Sequence, residues 1–259
     1  MKPQMRSLLG DIPTLTPSSY ANLKRCDRLY WQKHLLRLPA SDSQFSPDRG
    51  LLVHAMLKMI HDQGVCSDLD LVHDVLAAHG ADDEITFEMV QRHARRCPRI
   101  WERCGHEVDL SRFQPLPPAV FFAHARIDAI WVHDGILDAR DYKTGAVQFN
   151  YVGDDPAARV QAFVLAKHLD RVGATRLRVR YEHLAPEVDE DPEPFEPDAQ
   201  DLAAITEELK DAVKRMWASE GEFTGVNEPA VCGSCAYRSI CRDSATPSEP
   251  IWASLSFGP

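Results

Sequence analysis

The sequence has no apolar run long enough to span a membrane and no excess of positive charge. A transmembrane helix needs about 20 consecutive apolar residues, and residues 1–6 also lack the apolar stretch of a signal peptide. The net charge of −10 argues against a protein that coats DNA non-specifically. We therefore expect a soluble, cytoplasmic protein with no membrane partner, in which any nucleic-acid-binding track is a local basic feature.

The cysteines do not suggest a disulfide framework. Their number is odd, seven in all, and the expected compartment is reducing, so a metal site is the better interpretation where the spacing allows it. Cys232, Cys235 and Cys241 have such spacing, and Cys26 is our choice of fourth ligand. Zinc and [4Fe–4S] clusters both take four thiolates, and unrelated buried cysteines are the remaining alternative. The other three cysteines are expected to be core or surface thiols.

The length of 259 residues suits one decorated domain, expected over residues 1–245 with an irregular tail at 246–259. A first helix is expected with Ser18 or Ser19 as N-cap. Helical patterns at 50–61 and 68–104 suggest a helical insertion over about 55–115. Strands are expected at 119–132 and 136–143, where they form a hairpin. A helix at 156–169, a strand at 176–184 and a helix at 199–219 are expected to follow.

The expected hairpin carries two carboxylates and a lysine. Asp141 and Lys143 are two residues apart and therefore point to the same face of a strand, and Asp128 on the preceding strand can lie beside Asp141. Paired carboxylates bind Mg²⁺ or Mn²⁺, and a bound metal activates water for phosphodiester hydrolysis. Lys143 would orient that water or bind the phosphate, and the Tyr142 carbonyl offers a further ligand. A solvated strand face with one ion pair is the alternative.

Two further residues are weaker candidates when taken alone. His54 lies among apolar residues on an expected helix, where a histidine is more often packed or exposed than a metal ligand. Gln161 is an amide in the otherwise apolar segment 160–166, where an exposed helical position is the simpler interpretation.

Taken together, these motifs resemble the RecB-like PD-(D/E)XK nucleases that carry an iron–sulfur cluster, which include the AddB nuclease domain and the small CRISPR-associated adaptation nucleases. The resemblance extends over about residues 15–242. The matching segments are, in order, residues 19–28, 50–54, 125–128, 141–145, 161 and 232–241. Two residues depart from the family pattern: Leu165 replaces an expected tyrosine that would contact DNA, and Ala125 replaces a common glycine.

The resemblance implies a restriction-endonuclease-like α/β core, a small mixed β-sheet flanked by helices. It adds the helical insertion and an iron–sulfur clasp that joins segments 18–31 and 230–243. The implied metal ligands are His54, Asp128, Asp141 and the Tyr142 carbonyl. Lys143 would be the catalytic lysine and Gln161 a supporting residue. The implied [4Fe–4S] ligands are Cys26, Cys232, Cys235 and Cys241, with zinc as the alternative.

The implied activity is metal-dependent DNA cleavage, by an exonuclease that acts on single-stranded DNA or DNA ends. The setting would be CRISPR adaptation, recombination and repair, or phage DNA processing. A rival interpretation is a non-catalytic DNA-end-binding subunit of a helicase or CRISPR integrase complex. The intact set of Asp128, Asp141 and Lys143 favours the enzyme. A zinc-stapled scaffold that binds no nucleic acid is a third possibility.

Overall fold

The computed structural model describes residues 12–40, 47–81, 83–97, 104–115, 120–145, 149–217 and 222–244. The chain divides into two compact units. The first unit is formed by Met1–Phe45, Phe113–Phe122 and Glu207–Pro259, and the second by Ser46–Arg112 and Ala123–Thr206. The expected tail at 246–259 lies outside the described residues. Within the described part of the chain, no helix is both long and apolar enough to cross a membrane.

A small mixed sheet is the central element, as expected. Its strands are β1 (Thr14–Leu15), β2 (Cys104–Gln114), β3 (Phe121–His133), β4 (Ile136–Lys143) and β5 (Arg176–His183). The order is β1-β3-β4-β5, and β2 also pairs with β3. Strands β3 and β4 are antiparallel, whereas β4 and β5 are parallel. The β3–β4 hairpin closes at Asp134 and Gly135, whose φ angles of 47° and 72° are typical of a tight hairpin turn.

Helices flank this sheet in the second unit. They are α3 (Pro47–Asp62), α4 (Leu69–Ala78), α5 (Glu84–Arg96), α6 (Pro156–Ala166) and α7 (Leu169–Val172). The faces of α3, α4 and α5 that are apolar in sequence pack into one buried cluster with residues of β3 and β4. The cluster includes Val53, Leu57, Ile60, Val72, Leu76, Val90, Ala129, Trp131 and Tyr142. Burial of this apolar surface is the main term that holds the three helices on the strands.

The first unit brings together helices from both ends of the chain. It contains α1 (Pro17–Arg25), α2 (Asp27–Tyr30), the later part of α8 (Ala199–Met216) and α9 (Pro229–Gly233). The N-cap of α1 is Thr16 rather than Ser18 or Ser19. Thr16 Oγ1 accepts from the Ser19 backbone N–H at 3.1 Å, and Ser19 Oγ accepts from the Thr16 N–H at 2.8 Å. The helix starts earlier than expected because Pro17 fits the first helical position, where no N–H is needed.

Two expected elements differ in detail. Residues 104–114 form strand β2 instead of belonging to a helical insertion, since they alternate polar and apolar side chains with the period of a strand. The expected helix at 156–169 ends at Ala166, and the short helix α7 follows a turn at Lys167 and His168. Asp155 caps α6 by accepting from the Ala157 N–H at 2.8 Å.

Candidate active site

The hairpin fixes the first carboxylate through the backbone of the neighbouring strand. Ala129 pairs with Arg140, which places Asp128 and Asp141 at the next positions of β3 and β4. Asp128 is 8% exposed, and its Oδ2 accepts from the Tyr142 backbone N–H at 2.7 Å. The other carboxylate oxygen of Asp128 is therefore held in one orientation beside the end of β4.

Helix α3 brings His54 to the same point. Its Nδ1 lies 3.2 Å from Asp128 Oδ1, and its Nε2 lies 3.0 Å from the Tyr142 carbonyl oxygen. Both partners are oxygen acceptors, so imidazole, carboxylate and carbonyl converge as three potential metal ligands. Burial alone lowers the pKa of His54, but the hydrogen bond with Asp128 and the nearby carboxylates outweigh it and raise the pKa.

Asp141 and Lys143 form the second part of the site. Their side chains are paired, and Gln161 Nε2 donates to Asp141 Oδ1 at 3.3 Å. Burial and the negative charge of Asp128 raise the pKa of Asp141, while Lys143 opposes that rise. Burial disfavours the Lys143 ammonium, yet the adjacent Asp141 carboxylate raises its pKa overall. Lys143 Nζ also lies 4.0 Å from the centroid of the Tyr181 ring, a cation–π contact that holds the ammonium in place.

A third carboxylate, which the sequence analysis did not identify, lies beside this group. Ligand atoms of His54, Glu107 and Asp128 all lie within 4.8 Å of one another. Glu107 is on β2 with a φ of 52°, and Arg126 of β3 forms an ion pair with it. The strand-like alternation of side chains around residue 107 could have indicated this carboxylate. It was overlooked because the region was assigned to a helical insertion.

The geometry therefore brings together every predicted member of the hairpin site. His54, Asp128, Asp141, the Tyr142 carbonyl, Lys143 and Gln161 all lie in the second unit. Gln161 is 4% exposed, so it is not the solvated helical residue of the simpler interpretation. The donor set consists of the oxygen atoms of three carboxylates, Glu107, Asp128 and Asp141, and of one carbonyl, together with the His54 imidazole. Such a set of mainly hard oxygen ligands fits Mg²⁺ or Mn²⁺.

The arrangement of one carboxylate on β3 and an Asp-x-Lys pair on β4 is accompanied by a match to a known family. A family model described as the PD-(D/E)XK nuclease superfamily matches residues 14–242. The chain belongs to the PD-(D/E)XK nuclease superfamily. The match includes all the residues of the hairpin site and the four cysteines considered below. The family assignment supports a nuclease.

Two solved structures are similar to this chain at low sequence identity. The crystal structure of SSO0001 has a TM-score of 0.44 at 14% identity, covering 90% of this chain and 87% of that chain. A protein from Eubacterium rectale named "Putative exonuclease" has a TM-score of 0.48 at 13% identity, covering 95% of this chain and 94% of that chain. No curated protein matches the sequence.

The chain departs from the pattern of the resembled subfamily at Leu165. This residue, which stands where a tyrosine was expected, is completely buried on α6. It packs in the interior and presents no surface on which a base could stack. Ala125 is also completely buried on β3, where its methyl group is accommodated. The tyrosine contact is thus missing from this position of the chain.

The four cysteines predicted to share a metal centre line one pocket of the first unit. Cys26 joins α1 to α2, Cys232 lies on α9, and Cys235 and Cys241 follow in the next turns. All four line a pocket of about 350 Å³. The Arg25 guanidinium donates to the Val231 carbonyl at 3.1 Å and to Ser234 Oγ at 2.6 Å, which fixes the end of α1 against α9.

The pocket chemistry fits a thiolate-bound metal centre. Burial raises the pKa of the Cys241 thiol, and the neighbouring charges of Asp243, Cys26 and Cys235 raise it further. Negative charge on Cys26 or Cys235 therefore disfavours the Cys241 thiolate, and a bound cation or cluster would remove that repulsion. Four cysteines that line one pocket are a donor set for [4Fe–4S] or zinc.

Proposed function

We propose that the protein is a metal-dependent DNA nuclease, an exonuclease that acts on single-stranded DNA or on DNA ends. The observation that carries the proposal is the convergence of His54, Asp128 and the Tyr142 carbonyl beside the Asp141–Lys143 pair. The family assignment supports nuclease chemistry, and the preference for ends follows from the resemblance to RecB-like members. The biological setting would be CRISPR adaptation, recombination and repair, or phage DNA processing.

Each residue of the site has a role in this proposal. His54, Asp128, Asp141 and the Tyr142 carbonyl would hold one Mg²⁺ or Mn²⁺ ion, and Glu107 extends the set. When bound, the cation neutralises charge on the scissile phosphate and acidifies the attacking water.

Lys143 would bind a non-bridging phosphate oxygen or orient the water. Its raised pKa keeps the ammonium charged at neutral pH, so it can offset the charge that develops during attack. Gln161 positions Asp141 by donating to one of its carboxylate oxygens. The Tyr181 ring restricts the ammonium to the side of the site where Asp141 lies.

The cysteine pocket would hold a [4Fe–4S] cluster, for which zinc is the alternative. Cys26, Cys232, Cys235 and Cys241 would be its ligands. The cluster would clasp the N-terminal helices to the C-terminal segment of the first unit. We assign the cluster a structural role, because its ligands come from short segments that are far apart in sequence and that the cluster would hold together.

A cleavage assay tests the proposal directly. End-labelled single-stranded and duplex DNA are incubated with anaerobically purified protein in Mn²⁺, Mg²⁺ or EDTA. The expected result is metal-dependent shortening from the ends, and loss of Lys143 should lower the rate by on the order of 100-fold or more. Lys214→Ala is the matched control, since Lys214 is an exposed lysine of α8 paired with Asp211.

The outcomes separate the enzyme from the rival interpretation. Cleavage that is lost in Lys143→Ala but retained in Lys214→Ala supports the nuclease. Folded, metal-loaded protein that binds DNA ends without cutting them would instead favour a DNA-end-binding subunit of a helicase or integrase complex. Protein that neither binds nor cuts DNA would favour the scaffold.

A further inference from the structure

A second group of side chains that could bind a metal lies in the second unit, and two of its members, Cys66 and Cys97, were expected to be core or surface thiols. Ligand atoms of His61, Cys66, His93 and Cys97 all lie within 4.8 Å of one another. The four residues are between 1% and 9% exposed. None of them belongs to the hairpin site or to the cysteine pocket of the first unit.

Two local turns place these residues as pairs. His61 lies at the end of α3, and Gly64, with a φ of 68°, lets the chain turn so that Val65 N–H bonds the Ile60 carbonyl at 3.0 Å. This turn returns Cys66 toward His61. His93 and Cys97 are four residues apart at the end of α5 and therefore lie on one face of the helix.

The donor atoms of the two pairs face one another. His61 Nε2 lies 2.7 Å from His93 Nε2 and 3.6 Å from Cys97 Sγ. Bond lengths of about 2.0–2.1 Å to nitrogen and about 2.3 Å to sulfur place tetrahedral zinc ligands about 3.3–3.8 Å apart. The two imidazole nitrogens need to separate by only about half an ångström to reach that arrangement.

A buried carboxylate sets the orientation of one imidazole. His93 Nδ1 donates to Glu182 Oε1 at 2.8 Å, which leaves the Nε2 lone pair directed at the other three donors. Glu182 is 2% exposed and is itself paired with the Arg140 guanidinium. A carboxylate behind a histidine is the usual outer support of a zinc ligand, because it fixes the ring and increases its basicity.

We propose that His61, Cys66, His93 and Cys97 bind one structural Zn²⁺ ion. Two thiolates and two neutral imidazoles form a complete tetrahedral shell, which is typical of a closed structural site. Two thiolates also balance the charge of Zn²⁺, so the complex as a whole is neutral. A neutral complex suits the surroundings, since the apolar side chains of Val53, Ile60 and Val90 belong to the same buried cluster.

The ion would join the last turns of α3 and α5. His54 lies two turns before His61 on α3. Tyr142 provides a second connection, because its main-chain carbonyl faces His54 and its ring centroid lies 5.0 Å from that of the His93 ring. The metal would therefore hold α3 in the position that aims His54 at the hairpin. This positional consequence rests on the proposed nuclease function, whereas the zinc site itself does not.

Metal analysis of the full-length protein tests the site. Zinc and iron per chain are measured by plasma mass spectrometry for the wild type and for Cys232→Ser, Cys97→Ser and Cys104→Ser. We expect about one zinc ion per chain in the Cys232→Ser protein, in which the other cysteine pocket is disabled. Cys97→Ser introduced into that background should abolish zinc binding, while Cys104→Ser, which alters another thiol of the same unit, should retain it.

Cobalt substitution and chelation supply a second readout in the same Cys232→Ser protein. Tetrahedral Co²⁺ in the Cys232→Ser protein should give intense visible d–d bands with thiolate charge-transfer absorption. Removing zinc from it with a chelator should lower Tm, and added Zn²⁺ should restore it. Zinc content unchanged by Cys97→Ser, or a folded Cys232→Ser protein that takes up neither Zn²⁺ nor Co²⁺, would overturn the proposal. Neither result depends on DNA cleavage, so failure here is distinct from failure of the nuclease proposal.

Discussion

The imidazole Nε2 of His54 lies 3.0 Å from the main-chain carbonyl oxygen of Tyr142. This contact joins helix α3 to the end of strand β4, while Nδ1 of the same ring faces Asp128. An imidazole between two oxygen acceptors is an arrangement in which a metal ion can take the place of a proton. The relationship explains why a histidine on an otherwise apolar helical segment belongs to the candidate site.

His54→Ala should reduce the cleavage rate by about 100-fold at limiting Mn²⁺, because one ligand and its orienting contacts are lost. Raising the Mn²⁺ concentration should recover part of the rate, since the defect is in metal affinity. Metal titrations of the initial rate measure this effect. His79→Ala is the control, as His79 is exposed and bonds only the Val75 carbonyl among the described side-chain contacts. A wild-type titration curve for His54→Ala would remove this residue from the site.

Glu107→Gln should shift the same Mn²⁺ titration to higher concentration by about tenfold, because the substitution removes a negative ligand while keeping the side-chain shape. Arg126→Ala is the matched variant, since it breaks the Arg126–Glu107 ion pair but leaves the carboxylate in place. If both variants behave alike, Glu107 acts through the ion pair and not as a ligand. A shift in Glu107→Gln alone supports metal binding.

The sequence predicts the local parts of this site better than the parts that depend on packing. Asp128, Asp141 and Lys143 are separated by one hairpin, so strand alternation and a short turn suffice to place them on one face. Glu107 reaches them only through the pairing of β2 with β3, which no local pattern determines. His61, Cys66, His93 and Cys97 required the packing of α3 on α5, and the spacings within the two pairs, five residues in the first and four in the second, are individually weak signals.

Helix boundaries show the same limit. Ser19 is part of the capping box of α1, yet the N-cap is Thr16 because Pro17 occupies the first helical position. Helix α6 has the same arrangement of cap and proline, with Asp155 as N-cap directly before Pro156. Strand β2 was missed because the segment before it is helical and because its pairing with β3 is a tertiary contact that its own sequence does not specify.

Asp155→Ala should destabilise the second unit by about 2–3 kcal/mol, because Asp155 caps α6 and also accepts from the buried Tyr181 hydroxyl at 2.5 Å. Tyr181→Phe removes only the second contact and should cost about 1 kcal/mol. It keeps the ring on which Lys143 rests. Urea unfolding measures both values, and equal destabilisation by the two variants would show that the cap contributes nothing.

Cys26→Ser should lower the iron content of anaerobically purified protein from about four ions per chain and remove its visible absorbance. The physical reason is that three cysteines cannot complete the thiolate shell of a [4Fe–4S] cluster. Cys104→Ser, a thiol outside the pocket, should leave iron unchanged. Zinc in place of iron would identify the alternative metal, and iron retained at the wild-type level in Cys26→Ser would mean that another residue is the fourth ligand.

Acid stability should depend on His34 in the first unit. Burial and the neighbouring Lys33 charge lower the pKa of His34 from 6.5 to about 4, and Asn22 Nδ2 donates to its unprotonated Nε2 at 2.8 Å. Below pH 6.5 the unfolded chain takes up a proton that the folded chain does not, so stability falls as the pH drops toward about 4. His34→Gln removes this proton uptake and should flatten the free energy of unfolding over that window, without changing its slope above pH 7. Denaturant unfolding of the two proteins at a series of pH values measures the difference, and parallel curves would show that His34 titrates alike in both states.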